Sequence, residues 1–183
     1  MIPIGPLMRE HRLIERMIGL MKSEVSKIVA DRRTDPVFIE AAVDFFRTYA
    51  DRCHHGKEED ILFAQLREKH LSLDHQGIMA DLIEEHAMGR ETVRDLLRAN
   101  DKYKNGSITA LDDIGELLRD LVNFYPLHIA KEDTAFFYPC MEYFTKQELD
   151  AMLDQFWDFD RKLIHEKYGH TIAELEKARP ARA

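Results

Sequence analysis

Between its scarce glycines and prolines the chain carries apolar residues at spacings of three and four, the period of helices that bury one face. Leu7, Ile14, Ile18 and Val25 form one such stripe and, with Pro6 in the first turn, predict a helix over residues 6–31. Asp35 followed by Pro36 reads as the cap and first turn of a longer helix running through Phe38, Phe45, Tyr49 and Ile61 to about Lys69. After an interruption from Leu71 to Gly77, the residues Met79, Ile83, Val93 and Leu97 mark a third helix that fades at Asn105 and Gly106. Ser107 is the expected cap of a fourth, with Ile114, Leu117, Leu121 and Phe124 on one face, a bend at Pro126 and an end near Pro139. These elements predict an all-α chain whose residues 1–143 form an antiparallel up-down four-helix bundle.

Residues 144–183 form a C-terminal helical extension in this reading, opened by a capping box from Thr145 to Glu148 and carrying Phe156, Trp157 and Phe159. Such aromatics most often cover the body of their own chain, and a homodimer contact is the alternative. The polar ending from Glu174 onward is expected to fray.

Composition narrows the function. In 183 residues, 45% hydrophobic content supplies one substantial core. Acidic residues outnumber basic ones, 34 to 26, and the net charge of −8 opposes a phosphate backbone, so nucleic acid is not an expected partner. No leader pattern and no run of about 20 apolar residues is present, which predicts a cytoplasmic chain with no membrane association. The two cysteines, Cys53 and Cys140, form neither a disulfide framework nor a CxxC pattern. No nucleophile-base set or phosphate-cradling glycine loop is evident, so any enzymatic activity is expected to be redox chemistry.

The chemistry lies in a short internal repeat, His54-His55-Gly56-Lys57-Glu58-Glu59 against His128-Ile129-Ala130-Lys131-Glu132-Asp133. Both contain HxxxE, and residues four apart lie about 40° apart around a helix and about 6 Å along it, so imidazole and carboxylate share a face. Two such motifs on different helices suit a dinuclear metal site. His11 and His86 fall at core phase on the other two helices. Two buried carboxylates together are costly without a cation, which weighs against a purely hydrogen-bonded core. Register is ambiguous in the first motif, because His54 with Glu58 and His55 with Glu59 have the same spacing. Matching Lys57 to Lys131 selects His54 and Glu58, leaving His55 as a boundary histidine and Glu59 as a solvated acid, with the shifted register as the alternative.

The segments EHRLIERM around His11, HHGKEEDILF around His54, EEHAMGR around His86 and HIAKEDTAFFYP around His128 resemble the hemerythrin-like, or HHE cation-binding, family. The resemblance covers residues 6 to about 143. It implies two iron ions joined by an oxo or hydroxo bridge, with zinc or manganese as secondary candidates. His11, His54, His86 and His128 would be terminal imidazoles, and Glu58 and Glu132 bridging carboxylates. It implies reaction with dioxygen, nitric oxide or peroxide, or an iron or redox sensing or repair role through a redox or signalling protein partner. Oxygen-carrying hemerythrins have a further histidine one turn beyond the third-helix ligand, where this chain has Arg90. The expectation is an open iron position, with Arg90 or Glu85 tuning the site from nearby or Arg90 reaching to solvent. Tyr49, Tyr125 and Cys53 read as core residues, the methionines as core filling, and His70, His75, His165 and His170 as exposed.

Overall fold

A computed structural model describes residues 2–161 and 164–178, and every regular element among them is helical. Helix α1 spans Ile4–Asp31. It stops where Arg32 turns left-handed at φ 51°, its N–H closing onto the Ile28 carbonyl. Helix α2 covers residues 36–66, begun by Asp35, whose carboxylate accepts the Val37 N–H at 3.0 Å with Pro36 in the first turn. Helix α3 spans Leu73–Lys104, capped by the Ser72 hydroxyl accepting from the His75 N–H. Gly106, at φ 95°, supplies the left-handed step after it. Helix α4 covers residues 110–141, so the predicted Ser107 cap falls two residues before the observed one, Thr109; Ser107 lies instead in the turn that leads in, where its carbonyl accepts from the Ala110 N–H.

Two of these helices are not uniform. Within α2 the segments Phe46–His55 and Glu58–Phe63 are π-helical, and within α4 so is Glu132–Phe136. A π turn takes an extra residue and exposes backbone that α packing would satisfy, and it recurs at functional sites. Here the wide turns carry His54, His55, Glu58 and Glu132.

Helix α1 packs on α4, α4 on α3, α3 on α2, and α2 returns to α1. Their apolar faces make two clusters. One holds Ile14, Ile18, Phe38, Phe45, Val93, Leu96, Ile114 and Leu121, and the other Leu7, Leu62, Phe63, Leu82, Phe136 and Phe137. Between them each of the four helices buries histidine, and α1, α2 and α4 bury glutamate as well. The polar layer is therefore sandwiched between two apolar cores that exclude water from it.

Helix α5, Lys146–Asp160, begins with the predicted capping box and packs on the Glu58–Phe63 turn, burying Met152 and Phe156 in the second cluster. Helix α6, Ile164–Ala178, lies on α1 and α2 and adds Tyr168 and Ile172 to the first. It continues past Glu174, where fraying was expected; residues 179–183 lie outside the described residues. Of the aromatics in α5, Phe156 is buried, whereas Trp157 and Phe159 stay 45% and 41% exposed. Among the described residues no helix is long and apolar enough to cross a membrane.

Candidate metal centre

The structure brings together all six residues singled out from sequence. His11 comes from α1, His54 and Glu58 from α2, His86 from α3, and His128 and Glu132 from α4, each with at most 2% exposure. Their Nε2 atoms converge on the two carboxylates. His11 Nε2 lies 3.0 Å from Glu132, His54 Nε2 3.3 Å from Glu58, His86 Nε2 3.3 Å from Glu58 and 3.7 Å from Glu132, and His128 Nε2 3.3 Å from Glu132.

Each of these four imidazoles turns its other nitrogen outward to an acid. His11 Nδ1 donates to Asp133 at 2.7 Å, His54 to Glu10 at 2.8 Å, His86 to Glu59 at 2.6 Å and His128 to Glu85 at 2.8 Å. Each acid is in turn held by a cation: Arg12 on Asp133, Lys57 on Glu10, Arg90 on Glu59 and Lys131 on Glu85. With Nδ1 engaged by its acid, Nε2 is the nitrogen left facing the centre, where those of His11 and His54 lie 2.9 Å apart. This carboxylate–imidazole arrangement fixes the tautomer and raises the basicity of metal-binding histidines.

His55 is the correction to the sequence reading. It is not a boundary residue: it is 2% exposed, stacks on His86 with ring centroids 3.9 Å apart, and has no hydrogen-bond partner on either nitrogen. Glu59 is not simply solvated, since it orients His86 and pairs with Arg90. Arg90 neither enters the centre nor runs free to solvent; it clamps Asp51 and Glu59 together across α2 and α3. The expected exposed histidines divide. His70 and His170 are exposed, but His75 bonds the Tyr143 hydroxyl at 2.8 Å, and His165 meets Tyr49 at 2.9 Å and Asp160 at 3.1 Å. Tyr49, Tyr125 and Cys53 are buried.

Burial sets the charge states. Burial and neighbouring imidazoles hold His55 well below the usual histidine range, and burial lowers His54 to about 4, so both are neutral. Burial would also lower His11, but Asp133 and Glu132 override it and raise that residue to about 9. Burial and the facing charge of Glu132 push Glu58 well up. The opposing histidines, His128 first, outweigh burial at Glu132 and keep it ionised.

The donor set fits a cation. Both oxygens of Glu58 and of Glu132, Nε2 of His86 and of His128, and both nitrogens of His55 are buried without hydrogen-bond partners. Buried polar atoms are seldom left so. Donor atoms bound to one ion at 2.0–2.2 Å sit about 3 Å from one another, which is the spacing seen here. The ligand atoms fall into two groups, His11, His54, Glu58 and Glu132, and His55, His86 and His128, each mutually within 4.8 Å. A third group, Cys53, Asp160 and His165, already has an ammonium in place, with Lys57 Nζ 2.7 and 2.8 Å from the Asp160 oxygens.

Comparison with known proteins agrees with this donor set. The chain is 22% identical over 180 residues to uncharacterized proteins of Mycobacterium bovis and Mycobacterium tuberculosis, covering 94% of this chain and 68% of each relative. No solved structure matches it. The Hemerythrin HHE cation binding domain matches residues 3–140, a span that contains every member of the buried cluster. On that match the chain belongs to the hemerythrin HHE cation-binding family.

Proposed function

We propose that the cluster holds two iron ions and that the protein binds or reduces a small molecule such as dioxygen, nitric oxide or peroxide. The observation that carries this reading is the set of unpartnered carboxylate oxygens and imidazole nitrogens in a layer closed above and below by apolar clusters. In this reading His11, His54, Glu58 and Glu132 would hold one ion and His55, His86 and His128 would provide imidazoles for the other. Iron there supplies one-electron chemistry toward diatomic ligands. The chain's own residues fix the imidazoles through Glu10, Glu59, Glu85 and Asp133, keep bulk water out, and hold opposing charge in check.

The fold reading that accompanies it is an up-down four-helix bundle over residues 1–143 with residues 144–183 as an extension packed against it. Its support is the order of the clusters: α1 and α3 run from the second apolar cluster to the first, α2 and α4 the reverse. The proposed location is the cytoplasm.

Metal analysis tests the function. Protein purified without chelator should carry close to two irons per chain, with an absorption band that dithionite bleaches and nitric oxide shifts. Zinc alone, or no metal after iron reconstitution, rejects the iron reading.

A second reading, an iron or redox sensor or repair module acting through a protein partner, is favoured by one contact. The end of α5 sits on the two residues between the ligand-bearing turns of α2. A Cβ on Gly56 would lie 2.9 Å from the Phe159 ring, and Asp160 holds Lys57 and accepts from the Cys53 thiol at 3.2 Å. In a sensor, stripping the metal should make α5 and α6 at least tenfold more protease-sensitive; in a gas-binding protein the two rates stay close.

The same contact gives a pH prediction. Burial raises Asp160, but hydrogen bonds from His165 and Lys57 outweigh it and lower the carboxyl from 3.8 to about 2. A depressed folded-state value stabilises above the ordinary carboxylate range and is lost as pH falls toward 2. Asp160→Asn should therefore cost about 1–2 kcal/mol at pH 7 after solvent screening. In denaturant titrations its deficit should shrink between about pH 4 and pH 2. A deficit that is constant with pH contradicts the ion pair.

A further inference from the structure

A cavity of about 330 Å³ opens between the Phe46–His55 segment of α2 and helix α3. It is not part of the cluster, yet it reaches it: His55 and Tyr125, each 2% exposed, line its inner end. Phe46, Val93 and Leu97 give it apolar walls. Arg47 and Arg94 stand exposed on its lining, and neither has an ion pair or hydrogen bond among the described residues. Arg90 and Asp51 also line it but are paired with each other, and Arg90 with Glu59 as well, leaving Arg47 and Arg94 as the unpaired charges on the lining.

Three features of this cavity bear on what it admits. A diatomic molecule needs far less room, and a volume of this size lies at the lower end of small-molecule pockets. Its two uncompensated cations are set on a chain whose net charge is −8, so they create a local attraction for negative ligands against a repelling background. The inner end offers His55, whose two nitrogens are both unpartnered.

We propose that this cavity is the passage by which small monoanions reach the metal centre, with Arg47 and Arg94 selecting them by charge and Gly89 keeping the lumen open. This rests on the metal-centre reading above and adds a ligand class and a route to it. Gly89 lines the cavity, and a Cβ there would lie 3.5 Å from Phe124 and 3.6 Å from the Tyr125 hydroxyl, contacts that a side chain can make without strain. A Cβ is therefore accommodated at this position, and a longer side chain there is expected to occupy the lumen.

The test compares azide, an anion, with nitric oxide, a neutral probe, by stopped-flow absorption on iron-loaded protein. Arg47→Glu combined with Arg94→Glu should lower the azide-to-nitric-oxide ratio of association rates about tenfold at unchanged iron content, and added salt should compress the wild-type ratio. Gly89→Leu should slow both probes. A readout on metal-free protein completes the set: carbethoxylation of His55, located by peptide mass mapping, should be slower in Gly89→Leu than in the wild-type chain. Fully iron-loaded variants with the wild-type ratio and wild-type rates overturn the passage alone, as does a metal-free His55 that resists the reagent equally in both chains. A chain that takes up no iron at all overturns the metal-centre reading, and the passage with it.

Discussion

Glu58→Gln should unfold at a higher temperature than the wild-type chain when metal is stripped, and at a lower temperature when iron is supplied. Without a cation, Glu58 is a wholly buried carboxyl whose two oxygens have no hydrogen-bond partner, and it faces Glu132. Leaving such acceptors unsatisfied costs about 1–3 kcal/mol. A glutamine amide fills the same volume and brings a donor for Glu132 or for an imidazole lone pair, so the metal-free variant should gain roughly 3–8 °C. With iron the order reverses, because the variant loses a proposed carboxylate ligand and the stabilisation linked to binding, about 4 kcal/mol at a thousandfold excess over Kd. Paired thermal melts with chelator and with ferrous iron read both signs. If chelator leaves the variant less stable than wild type, then Glu58 has a structural partner and the site is not built around a cation.

This sign reversal expresses how the fold is arranged around its polar layer. Seven inward positions in four helices are given to histidine and glutamate, between two clusters that would pack more stably as one. The cost is partly offset by the outer ring, in which Glu10, Glu59, Glu85 and Asp133 each bind an imidazole on one side and a cation on the other. The charge is thus distributed in alternating layers from the centre outward, which holds the imidazole rings in orientation before any metal arrives.

Much of this arrangement was legible in the residue pattern. The apolar period located α1 to α4, Asp35-Pro36 marked a helix start, and Thr145 with Glu148 a capping box. The HxxxE repeat and two core-phase histidines pointed to the residues that the fold gathers into one layer. Glu10, Glu59, Glu85 and Asp133 were less legible as a set, although each is a direct sequence neighbour of a cluster residue: Glu10 of His11, Glu59 of Glu58, Glu85 of His86 and Asp133 of Glu132. That adjacency was the available signal, since an acid beside an inward residue can reach around the helix to an imidazole on the next one.

What the period could not reveal is the π geometry. Successive residues on an α-helix are about 100° apart, so spacing alone leaves open which of His54 and His55 faces the core, and the sequence reading chose one register. The π-helical segment that ends at His55 takes more residues per turn, which narrows the angle between neighbours and lets both rings turn inward.

That geometry leads to the largest expected loss at a single histidine. His55→Ala should remove about half of the bound iron, because one group of the proposed centre then keeps only His86 and His128 as imidazoles while the group of His11 and His54 is intact. The sequence alone placed a vacancy at Arg90, one turn beyond His86; in the folded chain that arginine is committed to Asp51 and Glu59. In the proposed centre His55, stacked on His86, would supply the imidazole that the third helix lacks. Arg90→Ala should therefore retain both ions and weaken binding only about tenfold, by freeing Glu59 from its cation and loosening its hold on His86. His170→Ala, at an exposed position, should match wild type in both respects. Iron content after gel filtration, with the absorption spectrum of each variant, orders the three. Full iron loading in His55→Ala would return His55 to a buried structural role and restore the open position to the centre.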